Sequence, residues 1–294
     1  MPSAVNSRVL VYDVGGSHIS AAICFAQDYR LGQVVRANLP ERESSDAFVD
    51  VLYSLGAQAA AGTNQALGAE IAMPGPFDYA DGISRMLHKL PYLYGVNLCD
   101  ALGKRFGWHS NQVRFLNDAA AYLLGEVGAG AAKGTPRAVG ITLGTGVGCA
   151  FAVDGRIVTQ GRGVPPGGEI WNLPYQGGIV EDLISTRALQ NAYRERTGND
   201  REVASIAHYA MGGEAAAIAI FEEFGNRLGL VLRSLFSEFE PDLVVLGGGI
   251  SRSAHLFLAS AVSELKGLKV QLRVSMLGDN APLAGAGVAW FSHA

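Results

Sequence analysis

The stretch RVLVYDVGGSHISAAICFA, residues 8–26, carries the pattern that decides the fold. Its first half is rich in Val and Leu and stops at Gly15 and Gly16, which is typical of a buried strand that ends in a tight turn. The apolar run 19–26 predicts a second strand. We therefore expect the two strands to form a hairpin.

A second stretch repeats this layout in the middle of the chain. AVGITLGTGVGCAFAVDG, residues 138–155, again contains a strand, a glycine-rich turn with a hydroxyl side chain, and a strand. The likeness lies in pattern more than in residue identity, and we interpret it as an internal duplication. It predicts two similar lobes with a cleft between them: a small lobe over 1–117 and a larger one over 118–281. A closing helix of small residues, about 282–294, is expected to pack back on the first lobe.

The remaining segments alternate between helix-like and strand-like patterns. Residues 161–181 are rich in Gly, Pro and aromatic residues and predict a structured loop. Apolar residues at helical spacing predict helices at 44–61, 119–127, 214–240 and 282–291, and short apolar runs predict strands at 66–73, 113–116 and before the glycines of 242–251. This alternation indicates an α/β protein.

The composition excludes several classes of protein. Of the 294 residues 49% are hydrophobic, which is too many for a disordered chain and suits one large domain or two ordinary ones. The net charge is -4 and no basic run occurs, so we expect neither nucleic acid nor an anionic membrane as a partner. No uninterrupted apolar stretch reaches about 18 residues, so no membrane span is expected.

The termini and the cysteines favour a cytoplasmic protein. No apolar segment typical of a signal peptide precedes the first strand, so we expect no secretion signal. Cys24, Cys99 and Cys149 are widely spaced in apolar surroundings and form no CxxC pair. We interpret them as buried, reduced thiols.

Three apolar strands run into glycine turns, DVGGSH (13–18), LGTGVG (143–148) and LGGGIS (246–251). Such turns can point consecutive backbone N–H groups at a phosphate. Each alone is an ordinary tight turn, but three in one chain favour phosphate binding. They match neither the P-loop pattern nor G-x-G-x-x-G.

Side chains in and beside these turns have the chemistry that phosphates need. Ser17 and Thr145 each place a hydroxyl within a turn. Asp13 directly precedes the first turn, and it either begins that turn or holds Mg²⁺ near phosphates through water.

The loop at 161–181 carries a second set of polar candidates. Glu169, Asn172 and Glu181 are either solvated loop residues or a cluster that binds a polyol, since carboxylates and amides suit sugar hydroxyls. The histidines show no metal-ligand spacing with one another or with cysteine, so we predict no zinc site; they are His18, His88, His109, His208, His255 and His293.

Asp118 allows two interpretations. Asn117-Asp118 precedes an alanine-rich helix, and capping of that helix would be sufficient to explain both residues. Alternatively, a carboxylate at the end of the strand 113–116 can accept the proton of an attacking hydroxyl.

Taken together, these motifs resemble the ROK family of sugar kinases. DVGGSH, PGPFD, LNDAAAYLLGE, LGTGVG, GGEIWN and VLGGGIS occur in the family's order, from about residue 8 to about residue 290. The resemblance implies a two-lobed, actin-like (ribonuclease H-like) fold with a central cleft. It also implies ATP-dependent phosphorylation of a hexose, and a homodimer.

The resemblance assigns roles to individual residues. Asp118 looks like the general base that deprotonates the sugar hydroxyl. The residues that would bind the sugar are Gly75, Asn117, Asp118, Glu169, Asn172 and Glu181. Those that would bind ATP and its Mg²⁺ are Asp13, Gly15, Gly16, Ser17, Gly144, Thr145, Gly146, Gly247, Gly248 and Gly249.

The chain departs from the family pattern at several positions. Ser17 and His18 replace the Thr-Lys of the motif D-x-G-G-T-K, and Trp171 and Asn172 replace the Gly-His of G-E-x-G-H. The family's cysteine-rich zinc motif is absent. Trp171 either stacks on a sugar face or packs. Because the first phosphate-motif strand begins by residue 8, we also expect no N-terminal DNA-binding helix-turn-helix.

The sequence thus predicts an ATP-dependent hexose kinase, with glucose phosphorylated on C6 as the default reaction. Two alternatives within the enzyme class are another hexose and polyphosphate as the phosphoryl donor. An alternative outside that class is a non-catalytic sensor that binds a sugar or nucleotide.

Overall fold

The computed structural model describes residues 7–40, 44–61 and 66–292. The chain divides into two compact units, of which the first runs to Gly130 and resumes at Asp279, and the second spans 131–278. Both units mix helices with a five-stranded sheet, which confirms the α/β class.

The first unit contains seven strands and four α-helices among its described residues, together with the short 3₁₀ helices Pro91–Leu93 and Ser110–Gln112. The strands are β1 Arg8–Val14, β2 His18–Phe25, β3 Val35–Asn38, β4 Ala69–Met73, β5 Phe77–Asp78, β6 Ile83–Ser84 and β7 Val113–Asn117. The helices are α1 Ser45–Ala59, α2 Leu98–Phe106, α3 Asp118–Ala129 and α9 Ala281–Ser292.

The second unit contains seven strands and five α-helices, together with a long 3₁₀ helix, Gly249–Leu256. The strands are β8 Arg137–Leu143, β9 Val147–Val153, β10 Arg156–Val158, β11 Pro174–Tyr175, β12 Gly178–Ile179, β13 Leu243–Gly247 and β14 Gln271–Val274. The helices are α4 Val180–Ile184, α5 Thr186–Thr197, α6 Val203–Met211, α7 Ala215–Phe239 and α8 Leu258–Glu264.

The two main sheets share one topology. Their strand orders are β3-β2-β1-β4-β7 and β10-β9-β8-β13-β14. In the first sheet β1 pairs antiparallel with β2 and parallel with β4. In the second sheet β8 pairs antiparallel with β9 and parallel with β13. The shared order confirms the internal duplication and both predicted hairpins.

Alternation along β1 separates two hydrophobic cores. Leu10 and Tyr12 are buried in the core that includes α1 and α2, whereas Val9 and Val11 are buried with Leu283 of α9. Side chains two apart on a strand share a face, so Asp13 lies on the side of the sheet that α9 covers.

Helices α3 and α9 approach each other closely through glycine. A Cβ at Gly125 would overlap the backbone of Ala281, and one at Gly285 would overlap the backbone of Ala121. This packing confirms a closing helix of small residues. Because α3 packs on α9, α3 belongs to the first unit, and the division after Gly130 differs from the sequence-based boundary between 117 and 118.

Parallel pairing places the ends of several strands at the same edge of each sheet. In the first unit β1, β4 and β7 are parallel, so the turn after Asp13, Gly75 and the pair Asn117-Asp118 all follow strands at one edge. In the second unit β8 and β13 are parallel and each runs into a glycine turn. Ligands of open α/β sheets bind at such carboxyl ends.

The loop at 161–181 and the three cysteines were also predicted from the sequence. The structured loop at 161–181 contains a short 3₁₀ turn, the β11–β12 hairpin and the start of α4. Cys24 and Cys149 are buried free thiols as predicted, whereas Cys99 is half-buried and donates from Sγ to the Val113 carbonyl at 3.2 Å.

Among the described residues, no single helix is both long and apolar enough to cross a membrane. Helix α6 and residues 215–236 of α7 meet that measure only as a pair, with a bend of 115° between them.

Candidate active site

The N-terminus of α3 shows how Asn117 and Asp118 are used. Asn117 is the N-cap: its Oδ1 accepts hydrogen bonds from the backbone N–H groups of Ala119 at 3.0 Å and Ala120 at 3.1 Å. Asp118 is the first helical residue, and its Oδ1 accepts from Ala119 at 2.9 Å. Because Asn117 Oδ1 accepts from both N–H groups, α3 keeps an N-cap without the additional bond from Ala119 to Asp118.

A tyrosine that the sequence analysis missed orients Asn117. Tyr79 donates its hydroxyl proton to the Met73 carbonyl at 3.0 Å, and Asn117 Nδ2 donates to the Tyr79 oxygen at 3.2 Å. Gly75 lies in the same place, since a Cβ built there would be 3.4 Å from the Tyr79 hydroxyl. The structure therefore brings Gly75, Asn117 and Asp118 together.

Asp13 lies in a negatively charged environment. Burial is the largest cause that raises the pKa of Asp13 to about 7, and the charges of Asp118 and Asp279 raise it further, whereas Arg36 opposes the shift. Each of these side chains belongs to the first unit. Neither Arg36 nor Asp279 was singled out by the sequence analysis.

The first glycine turn is tight on one side and open on the other. Gly15 donates its N–H to the His18 carbonyl at 2.9 Å, and a Cβ on Gly15 would be 3.3 Å from that oxygen. A Cβ on Gly16 would meet nothing within 4 Å. Gly16 and Ser17 are both exposed, so an anion can reach their backbone.

The surroundings of Asp13 fit a hydrated magnesium ion better than a caged one. Across the described ranges, no group of three or more His, Cys, Asp or Glu side chains is arranged to hold a metal ion. Mg²⁺ is commonly held by one or two carboxylates, several waters and substrate phosphates, and a carboxylate with acidic neighbours suits such an ion. His293, one of the histidines considered for zinc, lies outside the described residues.

In the second unit, Glu181 contacts the second glycine turn directly. Gly144, Thr145 and Gly146 connect β8 to β9, and the Val147 N–H that follows donates to Glu181 Oε2 at 3.1 Å. A Cβ on Gly146 would be 2.8 Å from the same carboxylate oxygen. One carboxylate oxygen of Glu181, a residue predicted to bind the sugar, thus also orders this turn.

The loop before Glu181 brings the other polar candidates of this unit close to it. Trp171 donates its indole N–H to Glu169 Oε2 at 2.9 Å, and its carbonyl accepts from the Glu181 backbone N–H at 3.0 Å. Asn172 follows and is exposed. Trp171 is 40% exposed, so it does not fill the core.

The third glycine turn lies beside the second. Gly247 ends β13 opposite Thr142 of β8. Gly248 has φ +80°, and a Cβ there would overlap the Leu143 backbone, so only glycine fits. Gly249 is exposed and open. Within each unit the predicted site residues are therefore neighbours, and their individual roles stay predictions.

Comparison with solved structures identifies the class of fold. The chain is similar to the ROK hexokinase of Thermus thermophilus, with a TM-score of 0.79, 27% identity and 96% and 97% of the two chains covered. It is also similar to a ROK-family glucokinase of Streptomyces griseus solved with glucose and AMPPNP, with a TM-score of 0.80, 23% identity and 96% and 98% covered. The fold is thus the predicted actin-like ATPase fold.

Comparison of sequences then identifies the family. The ROK family model matches residues 9–293, so the chain belongs to the ROK family. Glucokinase of Thermotoga maritima is 28% identical over 272 residues, which cover 85% of this chain and 84% of the relative. N-acetyl-D-glucosamine kinase of Pectobacterium atrosepticum is 27% identical over 267 residues, with 84% and 85% covered.

Proposed function

We propose that this protein is an ATP-dependent hexose kinase in which Asp118 is the general base. One observation supports the proposal: Asn117 accepts from both N–H groups at the start of α3, so capping does not by itself account for the Asp118 carboxylate at the carboxyl edge of the sheet. A sugar hydroxyl that attacks a phosphoryl group loses its proton, and a carboxylate accepts it.

The sugar is proposed to contact a set of residues whose amide and carboxylate groups are in part held in place by hydrogen bonds. In the first unit these are Asn117, held by Tyr79, together with Gly75 and Asp118. In the second unit they are Glu169, Asn172 and Glu181. Carboxylates and amides that are held in place lower the entropic cost of orienting a polyol, and positioning together with electrostatic stabilisation supplies most of the catalysis of phosphoryl transfer.

The three glycine turns are proposed to bind the phosphates of ATP. Gly15, Gly16 and Ser17 form the first turn, Gly144 to Gly146 the second, and Gly247 to Gly249 the third. Asp13 would hold Mg²⁺ through water, and the bound ion would neutralise charge on the phosphates.

Glucose, phosphorylated on C6, is the proposed substrate, and N-acetylglucosamine is the second candidate. The relatives support both, since one is named a glucokinase and another an N-acetyl-D-glucosamine kinase. The two sugars differ at C2, where the second carries an acetamido group.

The test is an ADP-release assay with MgATP across glucose, mannose, fructose, N-acetylglucosamine and N-acetylmannosamine. The proposal predicts turnover with at least one hexose, and kcat/KM then ranks the sugars. Sugar binding by calorimetry without ADP release from any of them would contradict the kinase and favour the non-catalytic sensor. Turnover with polyphosphate but not with ATP would support the kinase proposal and show that polyphosphate is the phosphoryl donor.

A further inference from the structure

An open cavity of about 440 Å³ lies beside the first glycine turn, and of its lining residues the proposed function gives a role to Ser17 alone. Its lining residues are Ser17, His18, Arg36, Ala37 and Asn38, all in the first unit. Ser17 belongs to the turn, and its carbonyl accepts a hydrogen bond at 3.1 Å from the N–H of Leu39, just after β3. The cavity is therefore continuous with the proposed phosphate-binding backbone.

Strand register places the polar lining on one face. In the β2–β3 pair His18 lies opposite Asn38, and Ser20 lies opposite Arg36. In the β1–β2 pair Asp13 lies opposite Ser20. Directly paired residues, and residues two apart on a strand, share a face, so this lining is on the same face as Asp13.

The lining has the chemistry of an anion site. Ser17 Oγ and His18 Nδ1 are 3.2 Å apart, so a hydroxyl and an imidazole meet at the mouth of the turn. Asn38 adds an amide, and Arg36 adds a planar guanidinium with a permanent positive charge. A guanidinium binds phosphate oxygens with two parallel hydrogen bonds.

Arg36 also forms a weak ion pair within its own unit. Its guanidinium is 3.7 Å from the Asp279 carboxylate, and the two side chains are 49% and 51% exposed. Exposed ion pairs of this kind contribute little to stability, whereas a phosphate offers more charge and bidentate geometry to the guanidinium. A phosphate can therefore displace Asp279 from Arg36.

We propose that Arg36, with Ser17 and His18, binds a terminal phosphate of the phosphoryl donor, and that Asp279 competes for the Arg36 guanidinium when no donor is bound. The inference rests on the proposed kinase function and adds a donor-binding residue to it. The shared chemistry is a polyphosphate chain, which a nucleoside triphosphate or inorganic polyphosphate can supply.

The test measures the binding of MgATP and of magnesium tripolyphosphate separately, by calorimetry without sugar. Arg36→Gln is expected to weaken binding at least tenfold. Arg36→Lys is expected to restore part of the affinity, since lysine keeps the positive charge but cannot form the two parallel hydrogen bonds of a guanidinium. Asp279→Asn is expected to tighten binding two- to fivefold, and that gain should disappear when Arg36 is also Gln. Arg105→Gln is the matched control, because it removes another exposed Arg–Asp pair of the same unit, with Asp50 at 3.0 Å.

The outcomes separate the inference from the function beneath it. If Arg36→Gln loses affinity for MgATP alone, the site binds a nucleotide, and if it loses affinity for tripolyphosphate alone, the site binds polyphosphate. A loss of affinity for both probes supports recognition of the phosphate chain that they share. Arg36→Gln binding no weaker than the Arg105→Gln control, or a wild-type protein that binds neither probe, overturns the inference. An Asp279→Asn protein with unchanged affinity overturns the competition. Sugar turnover is measured in a separate assay, so the kinase can fail while the phosphate site stands, and the reverse.

Discussion

Asn117 and Asp118 are adjacent, and either side chain has the chemistry to cap a helix. The structure gives the capping hydrogen bonds of Ala119 and Ala120 to Asn117, with Tyr79 holding the amide from the other side. Sequence alone left both tasks open for Asp118, because a carboxylate can cap a helix and can also accept a proton. Only the geometry of the helix end separates them.

This division predicts effects on stability of different size at the two positions. Asn117→Ala should lower the free energy of unfolding by about 1–2 kcal/mol, since it removes the N-cap. Asp118→Ala should change it by less than about 0.5 kcal/mol, because the cap remains and a negative charge near Asp13 is removed. Urea unfolding of the two variants measures the difference, and equal losses would contradict the assignment of the cap.

Glu70 is a buried carboxyl of the first unit that the sequence analysis did not notice. It is 4% exposed on β4, beside Arg114 on β7. Burial raises the pKa of Glu70 to about 8, although Arg114 opposes the shift. Its position in a strand with an all-buried pattern gave no sequence signal of a titrating group.

The raised pKa predicts that stability falls as pH rises. Between the ordinary glutamate pKa and about 8 the unfolded chain has released the Glu70 proton while the folded chain keeps it. The free energy of unfolding should therefore decrease over this window by up to about 1.4 kcal/mol per pH unit from this group. In urea unfolding, the free energy of unfolding of Glu70→Gln should rise relative to that of wild type between pH 5 and pH 8. That of Glu195→Gln, at an exposed site, should not. A gain that is independent of pH would refute this explanation.

At the scale of elements, α3 and α9 pack through glycines instead of large apolar side chains. Sequence predicted α9 as a tightly packed helix because small residues recur along it, but it did not predict its partner. The partner is fixed by a contact about 160 residues away in sequence, where the Gly285 position faces the Ala121 backbone. Local patterns do not carry that information.

The close approach predicts a large penalty for one methyl group. Gly285→Ala should destabilise the protein by about 1–3 kcal/mol or more, because the new Cβ overlaps backbone that cannot rotate away. Gly212→Ala is the matched control: its φ is -76° and its nearest contact would be 3.4 Å, so stability should change by less than about 0.5 kcal/mol. Thermal unfolding of both variants decides, and similar midpoints would rule out the tight packing.

At the scale of the whole molecule, the duplicated strand–turn–strand pattern was sufficient to predict the fold class and two related units. The same strand order in both sheets explains why, since one pattern of burial and one set of turns are used twice. Short or polar elements were missed: β3 alternates half-buried with exposed residues, and α5 carries many charged side chains. Arg36 and Asp279 were missed because a single charged residue in a polar segment is typical of a solvent-exposed surface.

The central claim is that Asp118 is the general base, and the most direct measurement is kcat of Asp118→Asn beside wild type with MgATP and the preferred hexose. We expect an unchanged unfolding midpoint, because Asn117 still caps α3, and a kcat lower by about 10²- to 10⁴-fold. Turnover within a few-fold of wild type, in a variant that folds normally, would show that Asp118 has no role in proton transfer.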